Sequence, residues 1–140
     1  MSYSIIAFLW RKPGLTPEQF RHHYEANHMP LLYTQFGQNF PQSHTRFYLP
    51  RQFSGTDSAD TSNANYAPSI FFGNTADFDY DACASIVFKD EVAFDAFYAR
   101  LKEPEVAKIL GEDEERFLWR QKLIVAVAGA PCVSLQPQSA

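Results

Sequence analysis

Three of the four histidines in the chain lie close together in the segment QFRHHYEANHMPLL, residues 19–32. His22, His23 and His28 are the three. An imidazole titrates near neutral pH, so it is the side chain best suited to act as a general acid or base. The first question about this chain is therefore whether one of these histidines transfers protons.

A helix over this segment would place the histidines on different faces. Phe20 and Tyr24 share the face expected to be buried, with His28 and His23 at its two flanks, whereas His22 points the opposite way and is expected to be solvated. His28 also lies near the expected end of the helix. The helix C-terminus favours the imidazolium and burial favours the neutral ring, so the two effects would hold its titration near neutrality. The alternative is a partly buried histidine that caps helix carbonyls.

Other polar residues are candidates for contact with a substrate. Asp79 and Asp81 bracket a tyrosine where a strand begins, and on a strand both would face one side. They would orient a histidine or act as a second acid, unless they are solvated caps of a loop. His44 begins another strand. Arg46 on that strand would bind a carboxylate or phenolate, although a surface salt bridge fits its position equally well.

The elements that must position these residues follow the order β-α-β-β-α-β. Strands are expected at residues 2–12, 43–52, 79–89 and 118–129. Helices are expected from Pro17, after a Thr16–Gln19 capping box, and over residues 90–102. Pro30 should prevent helical geometry at the residue before it, and a short helix from Pro104 should end at Gly111. The GEDEER run, residues 111–116, is interpreted as a solvated turn.

This order predicts an α+β, ferredoxin-like fold with four antiparallel strands and helices on one face. The second strand is expected next to the first, which would aim His44 into the same cleft. The uncovered face of the sheet needs a partner to remove its apolar side chains from water, so a homodimer that forms an α+β barrel is expected. The domain should span residues 1–128 with a polar, mobile loop insertion at about 53–65, followed by a C-terminal tail over 129–140.

Composition excludes several classes of protein. The net charge is −4 and no basic stripe is present, which argues against a nucleic-acid partner. No apolar run is long enough to span a membrane, so a cytoplasmic protein is expected. The two cysteines give neither a disulfide framework nor the spacing of a metal site. The 13 Phe, 7 Tyr and 2 Trp pack a core and are also suited to line a pocket for a flat, apolar ligand.

Two long segments resemble the EthD domain family of the dimeric α+β barrel superfamily. The segment FLWRKPGLTPEQFRHHYEANHMPLL, residues 8–32, has the Lys-Pro-Gly turn, the Thr-Pro-Glu-x-Phe helix start and an x-His-x-Pro-Leu pattern at His28. Residues 78–127 resemble fungal members, with an Asp-Tyr-Asp run before a strand and an Asp-Glu-x-x-Phe run that begins at Asp113. The resemblance covers about residues 4–128.

The resemblance implies a cofactor-free homodimer without a metal. Several such relatives are dehydratases or decarboxylases of fungal aromatic polyketide pathways, and more distant ones isomerise lactones or cyclise polyketides. The histidine at the position of His28 is implied to be a catalytic acid or base. Asp113 and Phe117 look like a structural clasp on the last strand.

The resemblance implies dehydration of an aromatic polyketide intermediate as the most favoured reaction, and the candidate residues fit that chemistry. His28 would remove the proton next to a carbonyl, with Tyr24 and Asp81 as further catalytic residues. Further candidates to bind the substrate are Tyr48, His44, Arg46, Asp79, Phe20 and His23. The alternatives are decarboxylation, cyclisation or isomerisation in the same pocket, a non-catalytic dimer that binds a small molecule, and haem binding through a histidine.

Overall fold

The structure is a computed structural model that describes residues 1–57 and 59–138. Its strands are β1 (Tyr3–Leu9), β2 (Ser43–Tyr48), β3 (Arg51–Phe53), β4 (Tyr66–Pro68), β5 (Ala82–Phe88) and β6 (Ile124–Ala128). Its α-helices are α1 (Pro17–His23), α2 (Met29–Phe36), α3 (Glu91–Leu101) and α4 (Pro104–Phe117). A π-helical turn, Tyr24–His28, joins α1 to α2.

The main sheet has the order β2-β5-β1-β6, and each neighbouring pair is antiparallel. This is the ferredoxin-like arrangement, so the predicted α+β fold is confirmed. The expectation that β2 neighbours β1 is wrong, because β5 lies between them. His44 is opposite Ile86 of β5 in this register.

The polar segment predicted as a loop connects two short strands. β3 and β4 pair as a small antiparallel hairpin, and residues 54–65 run between them. The Arg11 guanidinium binds this connection, donating to the Thr61 carbonyl at 2.5 Å and to the Asn63 side-chain oxygen at 2.9 Å. Two hydrogen bonds from Arg11, which follows β1, therefore hold the connection in place.

The helix that carries the histidines does not stop before Pro30. The predicted capping box is confirmed, since the Gln19 backbone N–H donates to Thr16 Oγ1 and the Thr16 N–H donates to Gln19 Oε1. The prediction for Met29 is wrong, because its φ and ψ are −62° and −47°. Pro30 is tolerated because it directly follows the π-helical turn, where the α-helical hydrogen-bond pattern is already interrupted.

Helix α4 continues past Gly111, so its predicted end there is also wrong. It runs to Phe117 and buries a single face formed by Val106, Leu110, Asp113 and Phe117. Glycine inside a helix costs about 1 kcal/mol relative to alanine. Burying three large apolar side chains contributes several times that amount, at roughly 1.5–3 kcal/mol each. Packing against the sheet therefore outweighs the local preference of Gly111.

The core lies between the helices and one face of the sheet. Phe20, Phe88 and Phe117 are its largest fully buried side chains. The opposite face of the sheet is uncovered by helices, and Phe47 and Ile124 there are 60% and 55% exposed. Residues 129–138 follow β6 without helix or strand, and the division into a domain and a tail stays a prediction. No helix within the described residues is long and apolar enough to cross a membrane.

Candidate active site

A cavity of about 190 Å³ lies between the sheet and the helices. Its walls are mostly aliphatic and aromatic side chains of β1, α2, α3, α4 and β6, among them Ile5, Leu9, Leu32, Phe36, Phe97, Leu101, Leu110 and Val125. Four lining side chains carry groups that can bond or titrate: Tyr24, His28, His44 and Glu114. An apolar cavity with a few polar groups is the usual form of a small-molecule site.

The π-helical turn determines where two of these groups point. Its defining bond runs from the Met29 N–H to the Tyr24 carbonyl, one residue farther than in an α-helix. The turn begins at Tyr24 and ends at His28, and both side chains reach the cavity. Such turns occur often at functional sites. Within it the rings of Tyr24 and His28 meet edge to face, with centroids 5.7 Å apart.

Asp113 of α4 holds two of the histidines. Its Oδ2 lies 2.8 Å from His28 Nδ1, and its Oδ1 lies 3.0 Å from His23 Nε2. Asp113 and His28 are each 6% exposed, so both are shielded from water. The ring of Phe117 packs against both histidines at centroid distances of 4.8 and 4.9 Å. The carboxylate therefore fixes the orientation of His28, and Phe117 packs against its ring.

The contact with Asp113 also selects the tautomer of His28. A carboxylate oxygen only accepts hydrogen bonds, so Nδ1 carries the proton and donates the hydrogen bond to Asp113. In the neutral ring Nε2 is then unprotonated and available to a ligand. Burial lowers the pKa of His28, while the hydrogen bond and charge of Asp113 act in the opposite direction. The result is a neutral imidazole at physiological pH with one basic nitrogen.

Tyr24 and His44 form a second polar pair in the cavity. The Tyr24 hydroxyl lies 3.1 Å from His44 Nε2, so the two share a hydrogen bond. Burial lowers the pKa of His44 to about 4, helped by the nearby charge of Arg46. Burial raises the pKa of Tyr24 above its ordinary value. Both groups are therefore neutral over the physiological range and act as hydrogen-bonding groups.

Glu114, the fourth polar lining residue, follows Asp113 in α4. Its Oε1 lies 3.4 Å from Arg120 Nε, and its side chain is 23% exposed. Burial raises the pKa of its carboxyl group, against the lowering effect of Arg120. The cavity thus contains a carboxyl group with an increased tendency to hold a proton.

Asp81, predicted to be catalytic, lies outside the cavity. It is buried between Arg11 and Arg51, with the Arg51 Nε 3.0 Å from Oδ1 and the Arg11 backbone N–H donating to Oδ2 at 2.8 Å. The Arg11 guanidinium also donates to Oδ1. Asp79 does not share its side of a strand, because it precedes β5 and pairs with Lys122 at 3.2 Å. Neither aspartate orients a histidine.

Arg46 and Tyr48 form a separate network with Glu25. Arg46 Nε and Nη2 donate to the Glu25 carboxylate at 2.5 and 2.8 Å, and the Tyr48 hydroxyl donates to it as well. The bond to Arg46 lowers the pKa of Glu25, and burial raises that of Tyr48. These groups flank the cavity without lining it. Phe20 is 1% exposed and belongs to the core rather than to the wall of the cavity.

Sequence reasoning assigned no chemistry to Asp113 and Glu114, because it ended the helix at Gly111. On a continuous helix, Asp113 lies three residues beyond Leu110 and four before Phe117, on the buried face. A carboxylate on the buried face of a helix needs a partner, and that signal was available in the sequence. Among the described residues, no cluster of three or more His, Cys, Asp or Glu side chains is arranged to bind a metal ion.

Comparison with known proteins identifies the fold independently. The EthD domain family matches residues 12–120 of the chain. A crystal structure of an ethyl tert-butyl ether D (EthD) family protein from Bacillus halodurans C-125 superposes with a TM-score of 0.51 and 15% identity, covering 94% of this chain and all of that one. An EthD-like protein from Ralstonia eutropha JMP134 gives 0.51 and 10%, covering 91% of each chain. No curated protein matches the chain.

Proposed function

The chain belongs to the EthD domain family, and on that premise we propose that it is a cofactor-independent lyase that removes water from an aromatic polyketide intermediate. The family match covers most of the chain, and the cavity is suited to a small, largely apolar molecule. The finer assignment, dehydration at a hydroaromatic ring, is supported by the chemistry of the polar groups in the cavity.

The observation that carries the proposal is the pairing of His28 with Asp113 at the wall of the cavity. Nδ1 donates to the carboxylate, and Nε2 is left as a base of fixed direction. Asp113 also stabilises the imidazolium that forms when His28 accepts a proton. An oriented and partly desolvated histidine of this kind is suited to abstract a proton from carbon.

The pair Tyr24–His44 would hold the oxygen of the substrate. If His44 Nε2–H donates to the Tyr24 oxygen, the Tyr24 O–H is free to donate to a substrate carbonyl. Removal of the α-proton turns that carbonyl into an enolate, so the negative charge develops at the oxygen that Tyr24 binds. Donors directed at a developing oxyanion are among the largest contributions to catalysis.

The size of the cavity favours a compact ring system. Its volume of about 190 Å³ lies below the roughly 300–1,000 Å³ of sites for drug-sized ligands. Flat aromatic rings pack well against walls of phenylalanine and leucine. A small hydroaromatic ketone with a hydroxyl group β to the carbonyl would fill this space and become aromatic when water is lost.

The protein is further proposed to act as a homodimer that packs through the uncovered face of the main sheet. Phe47 and Ile124 on this face are large, apolar and more than half exposed. Packing two such faces together would remove these side chains from water and form the barrel expected from the sequence.

Turnover of a panel of hydroaromatic ketones by wild type and His28→Ala, followed by mass spectrometry, tests the proposal. The expected result is a product that is lighter by about 18 mass units, the mass of one water molecule. This product should not form with His28→Ala. A product lighter by about one carbon dioxide would replace dehydration by decarboxylation, and an isomer of unchanged mass would indicate cyclisation or isomerisation. Equal binding by both proteins without any product would favour a non-catalytic binding protein.

A further inference from the structure

The carboxyl group of Glu114 is the one polar group described in the cavity that the proposed mechanism does not yet use. It lies on α4 directly after Asp113, and it lines the same cavity as His28, Tyr24 and His44. Neighbouring residues on a helix point about 100° apart. Asp113 therefore faces the two histidines while Glu114 reaches the cavity.

The surroundings of Glu114 differ from those of an ordinary surface carboxylate. Its side chain is 23% exposed, whereas that of the next residue, Glu115, is 61% exposed. Its contact with Arg120 Nε is long, at 3.4 Å, and the same guanidinium also donates to Glu115 at 3.1 Å. In its ionised form Glu114 contributes to the raised pKa of the Tyr24 hydroxyl, so the two groups lie close to each other. Its carboxyl group is thus partly desolvated and close to the substrate-holding pair.

Dehydration needs an acid as well as a base. Hydroxide is a poor leaving group, and it departs readily only when a proton reaches its oxygen as the C–O bond breaks. His28 Nε2 is unprotonated, and the Tyr24 hydroxyl is assigned to the carbonyl oxygen. His44 is neutral and bonded to Tyr24, so Glu114 is the remaining candidate for the acid among the described polar residues that line the cavity.

We propose that Glu114 is the general acid that protonates the departing hydroxyl group, an inference that rests on the function proposed above. His28 Nε2 takes the proton from the carbon next to the carbonyl, and the electron pair becomes an enolate. The enolate then forms the C=C bond, the C–O bond breaks, and the Glu114 proton leaves with the oxygen as water. Return of the proton from the His28 imidazolium to the Glu114 carboxylate, through water, restores the enzyme, and no other reactant is consumed.

A comparison of leaving groups tests this role directly. The probes are 3-hydroxy-1-tetralone and its 3-acetoxy ester, which both give 1-naphthol on elimination. Acetate leaves without protonation, so only the alcohol needs the acid. Glu114→Gln is expected to lower kcat for the alcohol by about 10²–10⁴-fold, and to change kcat for the ester by less than about tenfold. His28→Ala should reduce turnover of both.

The controls separate failure of this inference from failure of the proposed function. Glu115→Gln removes the exposed neighbouring carboxylate and should leave both rates unchanged. Retained turnover of the ester by Glu114→Gln shows that this variant is folded. An equal loss for both probes, or no loss for either, would overturn the acid role while leaving His28 in place. Wild-type protein that eliminates from neither probe would overturn the proposed function, and the acid role with it.

Discussion

Asp113 Oδ2 lies 2.8 Å from Nδ1 of His28, across 85 positions of sequence. The other oxygen of the same carboxylate lies 3.0 Å from His23 Nε2, so one buried group orients two imidazoles. Asn27 Nδ2 lies 3.4 Å from the remaining nitrogen of His23. Both imidazole nitrogens that face Asp113 act as donors, so the carboxylate accepts a hydrogen bond from each ring.

Replacing Asp113 with asparagine should make His28 a weaker base while the imidazole ring itself stays in place. Asp113 raises the pKa of His28 through its hydrogen bond and its charge, so Asp113→Asn should lower that pKa further. We expect kcat to fall by about 10²–10⁴-fold, with a smaller change in KM. An NMR titration of the His28 ring measures the pKa, and Asp95→Asn, on the exposed side of α3, is the matched control. An unchanged His28 pKa would contradict the positioning role.

Tyr24 and Tyr48 allow a matched test of the cavity. Their rings pack edge to face at 5.9 Å, but only the Tyr24 hydroxyl is shared with a cavity residue, His44. Tyr24→Phe should lower kcat/KM by about tenfold or more, and should cost about 1 kcal/mol of stability because His44 Nε2 loses its partner. Tyr48→Phe breaks a bond to Glu25 and should leave kcat/KM within about twofold. Equal losses in the two variants would contradict the proposal that Tyr24 binds the substrate oxygen.

The fold could be predicted from the sequence because its local signals agree. The capping box at Thr16, the alternating strands and their order all favour the ferredoxin-like arrangement. The candidate site could be predicted only in part. Tyr24, His28 and His44 reach the cavity as expected, but Gly111 was interpreted as the end of α4 although tertiary packing carries that helix to Phe117. Because of this error, the buried position of Asp113 and the place of Glu114 in the cavity wall were not predicted.

The errors at Asp79 and Asp81 have a different cause. Alternation along a strand predicts that two aspartates at i and i+2 face the same side, but β5 begins only at Ala82. Partners distant in sequence decide the outcome, since Arg11 and Arg51 take up Asp81 while Lys122 takes up Asp79. No local pattern shows which arginine will reach which carboxylate.

His44 should make the protein less stable in mild acid. Its pKa is near 6.5 in the unfolded chain and about 4 in the folded one, so the unfolded state binds more protons between these values. The free energy of unfolding should therefore fall as the pH drops from about 6.5 to 4, by at most about 3 kcal/mol from this residue. Urea unfolding at several pH values measures the slope. His44→Gln should flatten it, and an identical slope in that variant would contradict the buried, neutral state of His44.

Asp81→Asn should destabilise the protein without changing its chemistry. The substitution leaves the guanidinium groups of Arg11 and Arg51 buried without a counter-charge, with side chains only 6% and 1% exposed. Loss of one partner from such a buried group costs about 3–5 kcal/mol. Asp79→Asn, which breaks an exposed pair with Lys122, should cost less than about 1 kcal/mol. Denaturant midpoints give both values, while kcat of folded Asp81→Asn should equal that of wild type. A large loss of kcat in stably folded protein would restore Asp81 to the list of catalytic candidates.

Phe47→Asp should convert the proposed dimer into a monomer. Phe47 is 60% exposed on the uncovered face of the sheet, opposite Cys83 of β5. In a two-fold dimer one substitution acts twice, because the same patch occurs on both copies. Each copy would lose about 2–3 kcal/mol of apolar burial and place a charge in an apolar interface. Phe71→Asp is the control, because Phe71 is fully exposed but lies on the loop between β4 and β5 and not on a strand of the main sheet. Light scattering after size-exclusion chromatography should give twice the chain mass for wild type and Phe71→Asp, and the single chain mass for Phe47→Asp. A monomeric wild type at micromolar concentration would show that the uncovered face is not a dimer interface.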